Sequence, residues 1–187
     1  MQTLFRAVVL LLVTFSLVSC KKTLRPEELP AHITLGNSYY TQFVIRYEKG
    51  AHSTTNYRRG ASIPINTKVR LTNISSKTIE VELDSFAKPL VIKSIQKHTG
   101  DDIYQAFDKL FGKTKVNLRK FNSLERKQIK IGTVAKRMRK KAVIAAIGYP
   151  PITETMSLDV DRWVYWSGRF NKFNVNFSKG KVSSIVD

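Results

Sequence analysis

The chain has 187 residues, 42% of them hydrophobic, with 32 Lys plus Arg against 14 Asp plus Glu, a formal net charge of +18 at pH 7 and a single cysteine. That length and apolar content allow one medium domain or two small ones with real cores and exclude a mainly disordered chain. A lone cysteine excludes an internal disulfide, and with histidine only at His32, His52 and His98 no Cys/His zinc spacing exists. A basic surplus of this size ordinarily raises nucleic acid first, because phosphate neutralisation is its commonest use.

The first twenty residues overrule that default. Arg6 is followed by an apolar run from Ala7 to Val18, interrupted only by Thr14 and Ser16, and then by the small Ser19. About a dozen apolar residues are too few for a bilayer-spanning helix, which needs roughly 20, and fit an export signal. Arg6 is the one cation within residues 1–19, so the charge belongs to the exported part and no nucleic-acid partner is expected. The tetrapeptide Leu17-Val18-Ser19-Cys20 resembles the bacterial lipobox. That resemblance implies a signal peptide over 1–19 cleaved after Ser19, diacylglycerol attached to Cys20 and an N-acyl chain on the new amino terminus. The alternative is a small residue near a routine cleavage site. One acyl chain anchors marginally, whereas two or three hold a protein on a membrane without spanning it. Lys21 in place of Asp resembles the sorting pattern for the periplasmic side of the outer membrane.

Residues 20–33 carry Pro26 and Pro30 without helical or strand periodicity and read as a lipidated tether. Semi-extended at roughly 3.1 Å per residue, it would reach on the order of 40 Å. The competing reading is a segment packed on the fold.

From Ser38 to about Ile95 the signals are β. Ile63, Ile65, Val69 and Leu71 alternate around a bend at Pro64 and Asn66; Ile79, Val81 and Leu83 alternate again, and Pro64 demands an edge or bulge. Ile103, Phe107, Leu110 and Phe111 then share one helical face, with a start at Thr99 and Asp102 and a stop at Gly112. Residues 34–112 are therefore expected to form a small antiparallel, SH3-like β domain with a closing helix. A polar, basic stretch over 113–121 reads as a boundary. In residues 113–187, Asn122 and Glu125 have capping-box spacing. A second helix over Met138 to Ile147 ends at Gly148 before Pro150-Pro151, and WVYW, FNVNF and KVSSIV read as strands. Helix, helix and three-strand meander complete an α+β chain.

Residues 131 to 187 resemble the SmpA/OmlA (BamE-like) family of small bacterial outer-membrane lipoproteins. Met138 and Val143 match its helix start, and Ile147-Gly148-Tyr149-Pro150 matches its Leu-Gly-x-Pro. Trp163 and Tyr165 match its aromatic pair, and Phe177, Gly180 and Val182 match its terminal hairpin. Arg137 and Arg139 stand where the family has Gly and Thr, so neither the permissive turn residue nor the cap is present, and positive charge faces the positive end of the helix dipole. The resemblance covers about a third of the mature chain and none of 34–112. It implies a membrane-tethered, non-enzymatic interaction or scaffold subunit in envelope assembly, with an envelope protein as partner.

The residues themselves offer little catalytic chemistry. The three histidines are scattered, Asp101 and Asp102 suit a helix start, Asp159 and Asp161 suit a turn, and nothing resembles a phosphate-binding GxxxxGK[ST] loop. Neither an enzyme nor a cofactor is expected. Lys136, Arg137, Arg139, Lys140 and Lys141 put five cations into six residues. Behind an export signal they would meet anionic head groups or lipopolysaccharide phosphates, at roughly 1 kcal/mol each; otherwise they form a solvated face. A periplasmic module binding anionic lipid or a small ligand is the competing function. Trp163, Tyr165 and Trp166 are candidate partner contacts, with strand alternation sending Trp166 to the face opposite the other two.

Overall fold

The computed structural model describes residues 23–187. The expected export signal, the lipobox-like tetrapeptide with Cys20, and Lys21 lie outside the described residues. The fold is mixed α+β. Strands β1 (Ser38–Thr41), β2 (Ile45–Tyr47), β3 (Ala51–Ser53), β4 (Ala61–Ile63), β5 (Lys68–Ile74), β6 (Thr78–Glu82) and β7 (Leu90–Lys93) come first. Helices α1 (Gln96–Thr99) and α2 (Ile103–Leu110) follow, then β8 (Phe111–Gly112), α3 (Ser123–Ile131) and α4 (Lys140–Ile147), and finally β9 (Arg162–Trp166), β10 (Lys172–Ser178) and β11 (Lys181–Val186).

Six strands form one curled sheet in the order β3-β7-β6-β5-β1-β8. Four of its five pairings are antiparallel, as alternation suggests, but β3 runs parallel to β7. A strand of three residues carries too little pattern to reveal its direction. The inward residues Val69, Leu71, Ile79, Val81, Leu90 and Ile92 bury completely or nearly so and meet Ile103, Phe107 and Leu110 of α2. Pro64 falls just past the end of β4, outside any ladder, where its missing N–H costs nothing. Its carbonyl accepts from the Thr41 and Thr67 hydroxyls.

Helix α2 starts later than the Thr99 signal suggests. Asp102 is the cap, accepting from Tyr104 N (2.9 Å) and Gln105 N (2.8 Å), while Thr99 ends α1 and Gly100 supplies that helix's left-handed stop. Gly112 is not a helix stop either. Phe111 turns extended and pairs with Thr41, because its ring is buried against Phe107 (5.5 Å between centroids), and Gly112 continues the strand.

Residues 23–33 do not stand off as a spacer, and the packed alternative holds. Thr23 bridges to Ser75, Leu24 N donates to Ile74 O (3.0 Å), the Tyr104 hydroxyl donates to Glu28 O (3.1 Å), and Ile33 is buried in the first core.

A second core gathers Ile129, Met138, Val143, Ala146, Trp163, Tyr165, Val175, Phe177 and Val182 between α3, α4 and the antiparallel sheet β11-β10-β9. Val44 and Ile65, from the first half of the chain, complete it. Polar clamps fix the two halves together. Buried Asn56 donates from Nδ2 to Ile147 O (2.7 Å) and Tyr149 O (2.9 Å), and the Tyr165 hydroxyl donates to Gly148 O (3.0 Å). Each satisfies a carbonyl freed by the end of α4, where an unpaired acceptor would otherwise be buried.

His52 lies in the first half with its Nδ1–H donating to Arg46 O (2.7 Å). Burial pushes its imidazole down to about 4 from 6.5, with the nearby Arg58 charge lowering it further. The unfolded chain takes up a proton below pH 6.5 that the folded chain refuses until about pH 4, so stability falls as pH drops through that window and levels off beneath it. By pH 5 the expected loss from this one group is about 2 kcal/mol. Urea unfolding between pH 7.5 and 5 measures it, and His52→Gln should flatten the slope.

Candidate anion-binding groove

Helix α3 begins as its sequence signal indicates. Asn122 caps it, the side chain accepting from Glu125 N (2.9 Å), and Glu125 Oε2 accepts in return from Asn122 N (3.1 Å). The Glu125 carboxylate is fully buried, and Arg139 neutralises it. Arg139 Nε donates to Oε1 (2.8 Å), Nη2 to Oε2 (2.6 Å) and to Lys120 O (2.9 Å), and the Arg139 backbone N–H to Oε1 (3.0 Å). The Arg139 guanidinium therefore holds Glu125 down at about 2 against the opposing effect of burial, and Arg139 is itself raised above its ordinary range. Arg139 is the N-cap residue of α4 but gives no side-chain cap. Instead Lys140 N donates to Gly180 O (3.4 Å), so the turn between β10 and β11 takes one of the orphan donors.

The turn before α4 is held to β11: Arg137 N donates to Val182 O (2.7 Å) and Val182 N to Met138 O (2.8 Å), with Met138 wholly inside the core. This forces Arg137 to φ +74, a left-handed backbone that costs a residue with a Cβ roughly 1–2 kcal/mol. Arg137→Gly should therefore raise stability by about 0.5–1 kcal/mol, the gain being offset in part by the freer unfolded chain, while removing a groove cation. Chemical denaturation of the two proteins checks the sign.

Between these elements lies an open groove of about 740 Å³ lined by Lys120, Phe121, Asn122, Ser123, Leu124, Arg137, Arg139 and Lys181. Among the described residues no carboxylate pairs with Lys120, Arg137 or Lys181, and only Arg139 has its charge matched. The groove is thus a concave, cationic surface at the start of α3, suited to a carboxylate or phosphate group.

The five clustered cations part ways here. Arg137 and Arg139 line the groove; Lys136 and Lys141 are exposed outside it. Lys140 is not a free surface charge: its Nζ donates to the carbonyls of Leu158 (3.0 Å), Asp159 (2.8 Å) and Val160 (2.8 Å) and lies over the Trp163 and Phe177 rings. It fastens the loop before β9 to α4, and Arg139 fastens α4 to α3, so both act inside the fold. Lys120 and Lys181 carry no sequence signal for the groove, since they lie 17 residues before and 44 residues after Arg137 and only the tertiary fold unites them.

Trp163 and Tyr165 are not available to a partner. Both are fully buried, because their face of β9 packs on α4, the Trp163 ring meeting Phe177 edge to face and the Tyr165 ring stacking on Phe173. Trp166, on the other face, is half-buried between Tyr57 and Lys172, whose Nζ lies 4.5 Å from its ring. His32 bonds Asp108 (2.7 Å) and His98 bonds Thr55 (2.7 Å), far from the groove in sequence. Among the described residues no three His, Cys, Asp or Glu side chains converge as metal ligands, and no helix is long and apolar enough to cross a membrane. Compared with known proteins, the chain matches no family model, no curated protein and no solved structure, so its role is read from the groove's own chemistry.

Proposed function

We propose that this chain is a non-enzymatic, membrane-tethered interaction protein of the bacterial envelope. It is anchored by acyl chains on Cys20 at the periplasmic side of the outer membrane, and its groove holds an acidic segment of a partner protein. The observation that carries the proposal is placement. Thr23 pairs with Ser75 just beyond the Ile74 end of β5, and the three residue steps from Cys20 span at most about 10 Å. Past the opposite end of β5, the Asn66 side chain is bonded on both sides to the backbone of Val116, four residues before the groove-lining Lys120. Six strand steps from Lys68 to Ile74 add about 20 Å. An anchor at Cys20 therefore keeps the Thr23 end near the bilayer and leaves three unmatched cations displaced from it, facing a partner's carboxylates.

The finer architecture belongs to the same proposal: an SH3-like unit over 34–112 and an SmpA/OmlA-like helix, helix and meander unit over 113–187. The left-handed Arg137 favours the latter, since the family places glycine there, and so does the β11-β10-β9 order. The exposed Lys136 and Lys141 favour a second reading, in which the molecule lies on its side and the basic face contacts anionic head groups. A photo-reactive residue at exposed Ser123, in the full acylated chain in native envelopes, separates the two. The proposal predicts an adduct with a protein through an acidic segment, lost when Lys120, Arg137 and Lys181 become Gln. Adducts with lipid alone would support the side-on reading, and no groove-dependent adduct would contradict both.

A further inference from the structure

Two kinds of residue make up the turn between β9 and β10, Ser167-Gly168-Arg169-Phe170-Asn171. Ser167 and Gly168 donate their backbone N–H groups to Asn171 O (2.9 and 3.3 Å), so small and polar residues close it. Arg169 and Phe170, at its apex, take no part in that closure and are exposed. Phe170 is 83% exposed, while every other aromatic side chain among the described residues is buried or half-buried. It belongs to neither core, and Arg169 lies over its ring at 5.4 Å. An aromatic ring left in water is unfavourable unless something outside the fold covers it.

Its place in the fold identifies the cover. The turns before and after β10 lie at opposite ends of that strand, six residue steps or about 20 Å apart. The later turn is the groove end, with Gly180 O accepting from Lys140 N and Lys181 lining the groove. Phe170 is therefore at the end of the sheet away from the groove. From there hydrogen bonds lead back toward Thr23. Trp166 O accepts from Arg58 N (2.9 Å), and Thr54 N donates to Lys93 O (3.0 Å). Lys93 pairs with Thr78, whose carbonyl accepts from Ser75 N (2.8 Å), and Ser75 is the residue bridged to Thr23. The charge distribution points the same way. Arg169 has no carboxylate partner among the described residues, and Glu154 is taken by Lys172 (2.8 Å), so the apex sets net positive charge beside its apolar ring. On the Thr23 side Lys77 and Lys97 are exposed, and Asp102 beside them is committed to capping α2. An exposed aromatic ring flanked by cations suits the boundary between lipid head groups and acyl chains.

We infer that the β9–β10 turn is a second point of contact with the phospholipid bilayer, Phe170 entering the head-group boundary and Arg169 meeting the lipid phosphates. The inference rests on the acyl anchor at Cys20 and adds to it. One point of attachment leaves the molecule free to swivel, whereas two hold the groove turned away from the membrane.

The test uses the full acylated chain on vesicles of phosphatidylethanolamine and phosphatidylglycerol. The lipid blocks Cys20, the single cysteine, so an introduced cysteine alone takes an environment-sensitive fluorophore. At Ser167→Cys the fluorophore should shift to the blue on vesicle binding and be quenched by nitroxides carried on the acyl chains. At Ser178→Cys, the opposite end of β10, it should do neither. Phe170→Ser removes no core contact and should cut quenching at position 167 by roughly threefold or more, since a ring of that size shifts a partition equilibrium by roughly ten- to hundredfold. A photo-reactive residue at Phe170 in native envelopes should form adducts with lipid. The inference is overturned, and the anchor stands, if the chain binds vesicles with position 167 in water, if positions 167 and 178 behave alike, or if Phe170→Ser changes nothing. Adducts with protein alone would give the turn to a partner and also overturn it. A chain that does not bind vesicles through Cys20 would bring down both readings.

Discussion

Replacing Lys120, Arg137 and Lys181 together by Gln is expected to weaken binding of an oligo-glutamate peptide by roughly a hundredfold at low salt. Each exposed cation contributes up to about 1 kcal/mol to an ion pair, and three such losses compound to about two decades of affinity. The effect should shrink steeply as salt rises, because at about 1 M the screening length falls to roughly 3 Å. Fluorescence anisotropy of a labelled peptide across a salt series measures both. The fold should survive, since none of the three side chains makes an ion pair among the described residues and all three can be rehydrated as glutamine. Arg139 is a contrasting case within the same groove. Its loss strands the buried Glu125 carboxylate, so Arg139→Ala should lower stability markedly and is the wrong probe of binding.

The largest loss of stability is expected from Gly148→Ala. Gly148 closes α4 at φ +75 and ψ −166, a region that only glycine occupies at low cost. A Cβ built there would meet Phe43 Cε2 at 2.6 Å and Asn56 Nδ2 at 2.9 Å. Phe43 belongs to the first core, and Asn56 holds the carbonyls of Ile147 and Tyr149, so neither can retreat without loosening the union of the two halves. Backbone strain and overpacking together should cost about 3–4 kcal/mol. Thermal and urea denaturation test this, and a near-neutral result would show that the α4 terminus is not the rigid joint described above.

What the sequence makes legible is local. Asn122 with Glu125, Gly148 before Pro150, and the alternation in β9 to β11 specify their elements because cap, stop and period act within a few residues. The basic run at 136–141 marks the right neighbourhood, but charge alone cannot say which cation is solvated. Arg139 and Lys140 are claimed by Glu125 and by three loop carbonyls that only tertiary packing brings near. Glu125 looks like an ordinary capping residue because its second role, as a buried ion-pair acceptor, depends on α4 crossing α3. The aromatic alternation in β9 separates Trp166 from Trp163 and Tyr165 correctly, yet which face meets α4 is set by connections that alternation does not encode. The parallel partnership of β3 with β7 is hidden for the same reason.

The claim on which the account rests is that an anchor at Cys20 holds one end of β5 near the bilayer and the groove away from it. Fluorophores at Ser76→Cys and, separately, Ser123→Cys in the full acylated chain on vesicles, with energy-accepting dyes in the head groups, measure the two distances. The account predicts strong transfer from position 76, beside the Thr23 bridge, and much weaker transfer from position 123. Equal transfer from both positions, or no vesicle association through Cys20, would contradict it.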